Sequence, residues 1–150
     1  MFRFIVLVAG ALLSGCATVP PANTPSGNPE VTLSGVRADC VRSGFLNILV
    51  NQGYAIHKTT DTQIVGGRRT KNFAAGLFLG TRFGGDPEER LTVLFIPQGT
   101  PDTIRVVLTS AAYVSNQGTG FEKVHPIRGT QKDQDMFMVA KSRIEYKCRK

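Results

Sequence analysis

The chain opens on an apolar run that limits what the rest of it can be. After Met1-Phe2-Arg3, residues Phe4 to Leu13 read FIVLVAGALL, ten residues without a polar side chain. As a helix they rise about 15 Å, half the hydrocarbon core of a bilayer, and so cannot anchor the chain by spanning it. The length and the single preceding positive charge suit the apolar core of a secretory signal. An exported chain folds in an oxidising compartment. What remains after the signal suffices for one domain of ordinary size, not two.

The run ends in Leu13-Ser14-Gly15-Cys16. An aliphatic residue, two small residues and a cysteine in that order resemble the lipobox of bacterial lipoproteins. The resemblance implies that residues 1–15 are removed and that Cys16 becomes the first residue. It also implies a diacylglycerol thioether on Cys16 and an amide-linked acyl chain. Two or more such chains anchor stably, at about 0.8 kcal/mol per buried methylene. The next residue is Ala17, not aspartate, which is similar to lipoproteins sorted to the outer membrane, with the domain facing the periplasm. No cofactor beyond the lipid is expected, and the address argues against a nucleic-acid partner. The alternative is a plain secretory signal with an incidental cysteine.

Residues 16–30 are expected to form the lipidated start and a tether. The segment ATVPPANTPSGNPE has four prolines and little to pack, and at about 3.1 Å per residue it reaches roughly 40 Å. The folded domain is then 31–150, 41% of the whole chain being hydrophobic and 19% charged, enough apolar content for a core. Val31–Ser34 reads as a short strand. Val36, Val41, Phe45, Ile48 and Leu49 predict a helix from about Arg37 to Asn51, weakened by Gly44. Strands are predicted over 54–59, 63–69, 91–96 and 103–115, with a short edge strand over 121–127 limited by Pro126. Phe137, Ala140, Ile144 and Cys148 form the apolar stripe of a closing helix over 131–147. This pattern predicts an α+β two-layer sandwich, an antiparallel sheet of about four or five strands with two helices on one face. The phrase from Phe45 to Arg68, a helix ending LVNQGY, a strand, an aspartate turn and IVGGR, resembles small TATA-binding-protein-like periplasmic lipoprotein domains. That resemblance supports fold and carries no catalytic residue.

Cys40 and Cys148 are the remaining cysteines, and export predicts that they pair. Neither has neighbouring thiol or imidazole ligands in sequence, so no metal site is expected. His57 is expected to face solvent opposite Ile56, and Glu88-Glu89 to sit in a polar turn after Pro87. Ser110, His125 and Asp102 permit a triad on paper, but no motif of hydrolytic chemistry supports it, and the chain is expected not to be an enzyme. The run Lys141, Arg143, Lys147, Arg149 and Lys150 reads as a solvated helix face.

Asn72 to Gly85 puts Phe73, Leu77, Phe78, Leu79 and Phe83 among glycines and alanines, flanked by Arg68, Arg69, Lys71 and Arg82. One reading packs the segment on the core. The other makes it an apolar loop that docks on a partner or dips into anionic lipid. The formal charge of +7 allows anionic partners and names none. The leading expectation is a membrane-anchored binding or scaffolding module of a cell-envelope complex with a protein partner. The alternatives are a binder of anionic lipid or lipopolysaccharide through loop 72–85, and an inhibitor or immunity protein against an envelope-targeted toxin.

Overall fold

The computed structural model describes residues 20–69, 87–115 and 122–149. In chain order the elements are β1 (Glu30–Ser34), α1 (Ala38–Asn51), β2 (Ala55–Thr59), β3 (Gln63–Arg69), β4 (Glu88–Gln98), β5 (Thr100–Ser115), β6 (Glu122–Ile127) and α2 (Gln131–Cys148). The strands form one antiparallel sheet in the order β1-β5-β4-β3-β2, with β6 also on β5. β5 is long enough to take two partners on one edge. β1 pairs with Thr103–Val107 and β6 with Ser110–Ser115. That sharing is how the sheet reaches six strands rather than four or five. The architecture is the expected α+β two-layer sandwich.

Strand alternation and helix periodicity point at each other. Leu33, Ile64, Val93, Phe95 and Val106 face inward from the sheet, and Val41, Phe45 and Leu49 of α1 meet them at four-residue spacing. From α2, Phe137, Ile144 and Cys148 close the core. The Phe45 ring lies 5.2 Å from that of Phe137 and 6.0 Å from that of Phe95, centroid to centroid. Gly44 belongs to the packing rather than weakening it. A Cβ there would meet Ile144 Cγ1 at 3.0 Å, so the missing side chain lets α1 and α2 approach.

α1 ends where the backbone N–H groups of Gln52 and Gly53 donate back to Ile48, Leu49 and Val50. α2 starts on a capping box that the sequence reading did not single out. Thr130 Oγ1 accepts from Asp133 N at 3.2 Å, and Asp133 Oδ2 accepts from Thr130 N at 2.9 Å. The predicted disulfide is present: Cys40 in the first turn of α1 is bonded to Cys148 in the last turn of α2, 108 residues on.

Two further expectations change. β4 begins at Glu88, so Glu88 and Glu89 are not a solvated turn but strand residues opposite Arg69 and Arg68. Cross-strand charge pairing draws the ladder past the apolar run that marked the strand in sequence. The N-terminal spacer is also shorter than its composition implies. Pro20 and Pro21 lie against Gln131 and Thr130, Ala22 donates to the Gly129 carbonyl at 3.0 Å, and Ala22 and Pro29 are buried. Glu30 N donates to Gln134 Oε1 at 2.7 Å, and Gln134 Nε2 donates back to the Glu30 carbonyl at 2.9 Å. Residues 20–29 therefore form a strap on the domain, and the packed body begins by Pro20 instead of at Val31. Proline-rich sequence lacks hydrogen-bond donors, but its carbonyls and rings still dock where a helix start offers donors.

Candidate functional site

Among the described residues, two concavities open beside the helices. The larger is a groove of about 580 Å³ between α1 and α2. Its floor is Gly44, Ile48, Ala140 and Ile144, residues that the helical stripes turn toward each other. Its walls are Ser43, Asn47 and Asn51 on α1 and Met136, Val139, Arg143 and Lys147 on α2. Met136 and Val139 are more than half exposed. The lining residues include two cations and no carboxylate. Part of the basic run read as a solvated face thus rims an apolar groove.

The second concavity is a cleft of about 300 Å³ between the helix layer and the inner face of the sheet, at the end away from the disulfide. Leu91, Leu108, Ile127 and Phe137 line it, with Tyr54, Arg68 and Glu89 at one side. Arg68 is bound on three sides. Its Nη2 donates to Glu89 Oε2 at 3.0 Å, its Nη1 donates to the Gln52 carbonyl at 3.3 Å, and its Cζ lies 4.5 Å from the Tyr54 ring centroid. The hydrogen bond to Glu89 leads the interactions that hold the guanidinium above its ordinary pKa. Burial, reinforced by the Glu89 charge, pushes the Tyr54 phenol up to about 12.

On the outer face a second charge cluster sits over Gly67. His57 is the extra residue of a bulge in β2, and its Nε2 lies 2.6 Å from Glu88 Oε1. Glu88 also accepts from Arg90 at 3.0 Å, and Arg90 Cζ stacks 3.9 Å from the Tyr113 ring centroid. A Cβ on Gly67 would collide with both Glu88 and His57, so glycine is what lets this pair lie across the strand. Burial works to raise the Glu88 pKa, but the bonds from Arg90 and His57 outweigh it and hold the carboxyl below its usual value.

The residues singled out from sequence separate in space. Cys40 and Cys148 come together. Arg68 is tied to Glu89 at the cleft, while Arg69, opposite Glu88, exposes its side chain next along β3. Cys16, Lys71, Phe73, Leu77, Phe78, Arg82 and Phe83 lie outside the described residues. β3 ends and β4 begins on paired residues, Arg69 and Glu88, so the connection that holds the 72–85 segment leaves and returns at one point of the sheet. The triad drawn on paper does not assemble. Asp102 and Ser110 are eight residues apart in one strand, about 26 Å, and Ser110 Oγ donates to the Ile127 carbonyl at 3.2 Å. His125 Nε2 is buried without a hydrogen-bond partner. Among the described residues no group of three or more His, Cys, Asp or Glu is placed to hold a metal ion, and no helix is long and apolar enough to cross a membrane.

Fold and surface define a two-layer α+β domain with a grooved helix layer, cross-linked at one end. No protein-family model matches the sequence, and no curated protein matches it significantly.

Proposed function

We propose that the chain is an outer-membrane lipoprotein, anchored through lipid on Cys16, whose periplasm-facing domain is a non-enzymatic binding module of an envelope complex. The observation that carries the binding reading is the interhelical groove, apolar along its floor and rimmed by Arg143 and Lys147 with no carboxylate among its lining. Such a groove fits an amphipathic segment of a partner protein that brings its own acidic residues. The lipobox-like Leu13–Cys16 and the cross-link expected of an exported chain support the address. The rival lipid-binding reading through 72–85 loses one of its cations, because Arg68 is committed to Glu89 and Gln52.

Two experiments test the proposal. The Cys16→Ser protein is expected to leave the membrane fraction and to lose incorporated palmitate; retention in the membrane rejects the anchor. A photoreactive residue at Val139, with crosslinking in intact cells, is expected to yield one envelope-protein adduct that disappears in the Arg143→Glu, Lys147→Glu protein. An adduct that forms regardless of those charges rejects the groove.

A further inference from the structure

The strap gives an anchored domain a fixed mount. The Pro20 carbonyl accepts from Gln131 N at 3.1 Å, and Asn23 N donates to Gln131 Oε1 at 3.2 Å. With the Gln134–Glu30 pair of bonds, these contacts tie the strap to one flank of α2. The inference rests on the lipidation of Cys16 proposed above. From Cys16 to Pro20 is four residues, which span at most about 14 Å whatever path they take. α2, at 18 residues, is about 27 Å long. The leash is therefore half the length of the helix it leads to, and the surface around the strap has to stay near the lipid.

What surrounds the strap suits that position. Ile127, at the end of the edge strand β6, is 42% exposed, and Met138 on α2 is 47% exposed. Ile127 is two residues from Gly129, which the strap binds, and Met138 is one turn on from Gln134, on the same flank. Arg128, also exposed, adds a cation beside Ile127, and the exposed Asp135, bonded to Gln131 at 3.0 Å, adds a carboxylate. Gln134 and the groove residue Arg143 are nine residues apart, which is half a turn round a 3.6-residue helix. Strap and groove thus lie on opposite flanks of α2.

We infer that the strap mounts the domain with the edge formed by Ile127 and Met138 against the bilayer surface and turns the groove away from it. Exposed apolar side chains enter the headgroup boundary, and the groove is presented to the aqueous compartment. The rigid dock of residues 20–29 replaces free rotation on a long spacer.

The test uses the acylated full chain, purified from membranes and placed in phosphatidylethanolamine–phosphatidylglycerol vesicles. An environment-sensitive fluorescent amino acid is placed singly at Ile127, Met138 or Val139, and quenching by headgroup-nitroxide lipid is read. Quenching at Ile127 and Met138 is expected to exceed that at Val139 by about threefold or more, since only the first two reach the interface. Equal quenching, or stronger quenching at Val139, overturns the mount. Inserting a glycine-serine spacer after Val19 is expected to abolish the contrast while the protein still sediments with vesicles. A contrast that survives the spacer overturns the leash as its cause. Mass spectrometry of Cys16 separates the two levels: an unmodified Cys16 overturns anchor and mount together, whereas an acylated protein without contrast overturns the mount alone.

Discussion

The two ends of the helix pair are built on different principles. At one end Cys40 and Cys148 are covalently joined, Arg37 N donates to the Cys148 carbonyl at 3.1 Å, and Val36 N donates to the Asp102 carbonyl at 3.3 Å. At the other end the last turn of α1 and the first turns of α2 stand over the cleft that separates them from the sheet, with Leu49, Gln52, Asp133 and Phe137 among its lining. The closed end holds each helix against the sheet at a defined height. The open end can then leave space unfilled without the helices drifting together. A domain of this size can carry a cleft because the cost of the void is offset by a cross-link far from it.

The largest expected effect tests the closed end. Replacing Cys40 and Cys148 together by alanine removes a cross-link over 108 residues, and in the chain-entropy account it lowers unfolding free energy by about 4–5 kcal/mol. Urea denaturation of the two proteins measures it; a loss under about 1 kcal/mol would show that the closed end is held by packing instead.

A paired truncation sharpens the contrast between the ends. Leu33, fully buried on β1, and Leu49, beside the cleft, are changed to alanine one at a time. Leu33→Ala is expected to cost about 3–4 kcal/mol and Leu49→Ala about 2 kcal/mol, because the neighbours of Leu49 have room to relax into the new space. Equal costs would mean that the cleft end is as tightly packed as the other.

The cap of α2 lies at the open end and carries the next effect. Thr130→Ala removes the Oγ1 acceptor for Asp133 N and is expected to cost about 1 kcal/mol by thermal denaturation. A loss beyond that range would implicate the strap, which bridges Thr130 through Pro21.

The smallest effect is a pH dependence. Glu88 has its folded pKa below the ordinary 4.5, since its bonds to Arg90 and His57 outweigh burial. A carboxyl lowered on folding contributes stability above its unfolded pKa and loses it as pH falls through the folded value. Stability should fall with acid below about pH 4.5, and Glu88→Gln should flatten part of that slope. Glu30, held down by Arg105 against the effect of burial, accounts for a further part. An unchanged slope in the Glu88→Gln protein would place the acid sensitivity elsewhere.

Much of the fold was legible because the periodicities are clean. The stripe from Phe137 to Cys148 and the triplet Val41, Phe45, Leu49 predict both helices to within a residue, and LTVLFI marks the core of β4. Its polar start did not read as a strand, since Glu88 and Glu89 enter the sheet through cross-strand arginines that only register supplies. Likewise the charge of Arg143 and Lys147 is visible in the sequence, but not that Gly44 brings α1 close enough to make a groove of which they form the rim. A signal for the capping box was present in Thr130 and Asp133, and was missed because aspartate stood where glutamate is commoner.

Spacing along the chain is enough to give the order of elements, the two amphipathic helix faces and the two cysteines available to pair. Three features emerge only once the chain is folded: residues 20–29 are a strap and not a spacer, Arg68 is tied to Glu89, and strap and groove lie on opposite flanks of α2. Those facts depend on which donors and charges meet across long separations, and local propensity carries no record of such meetings.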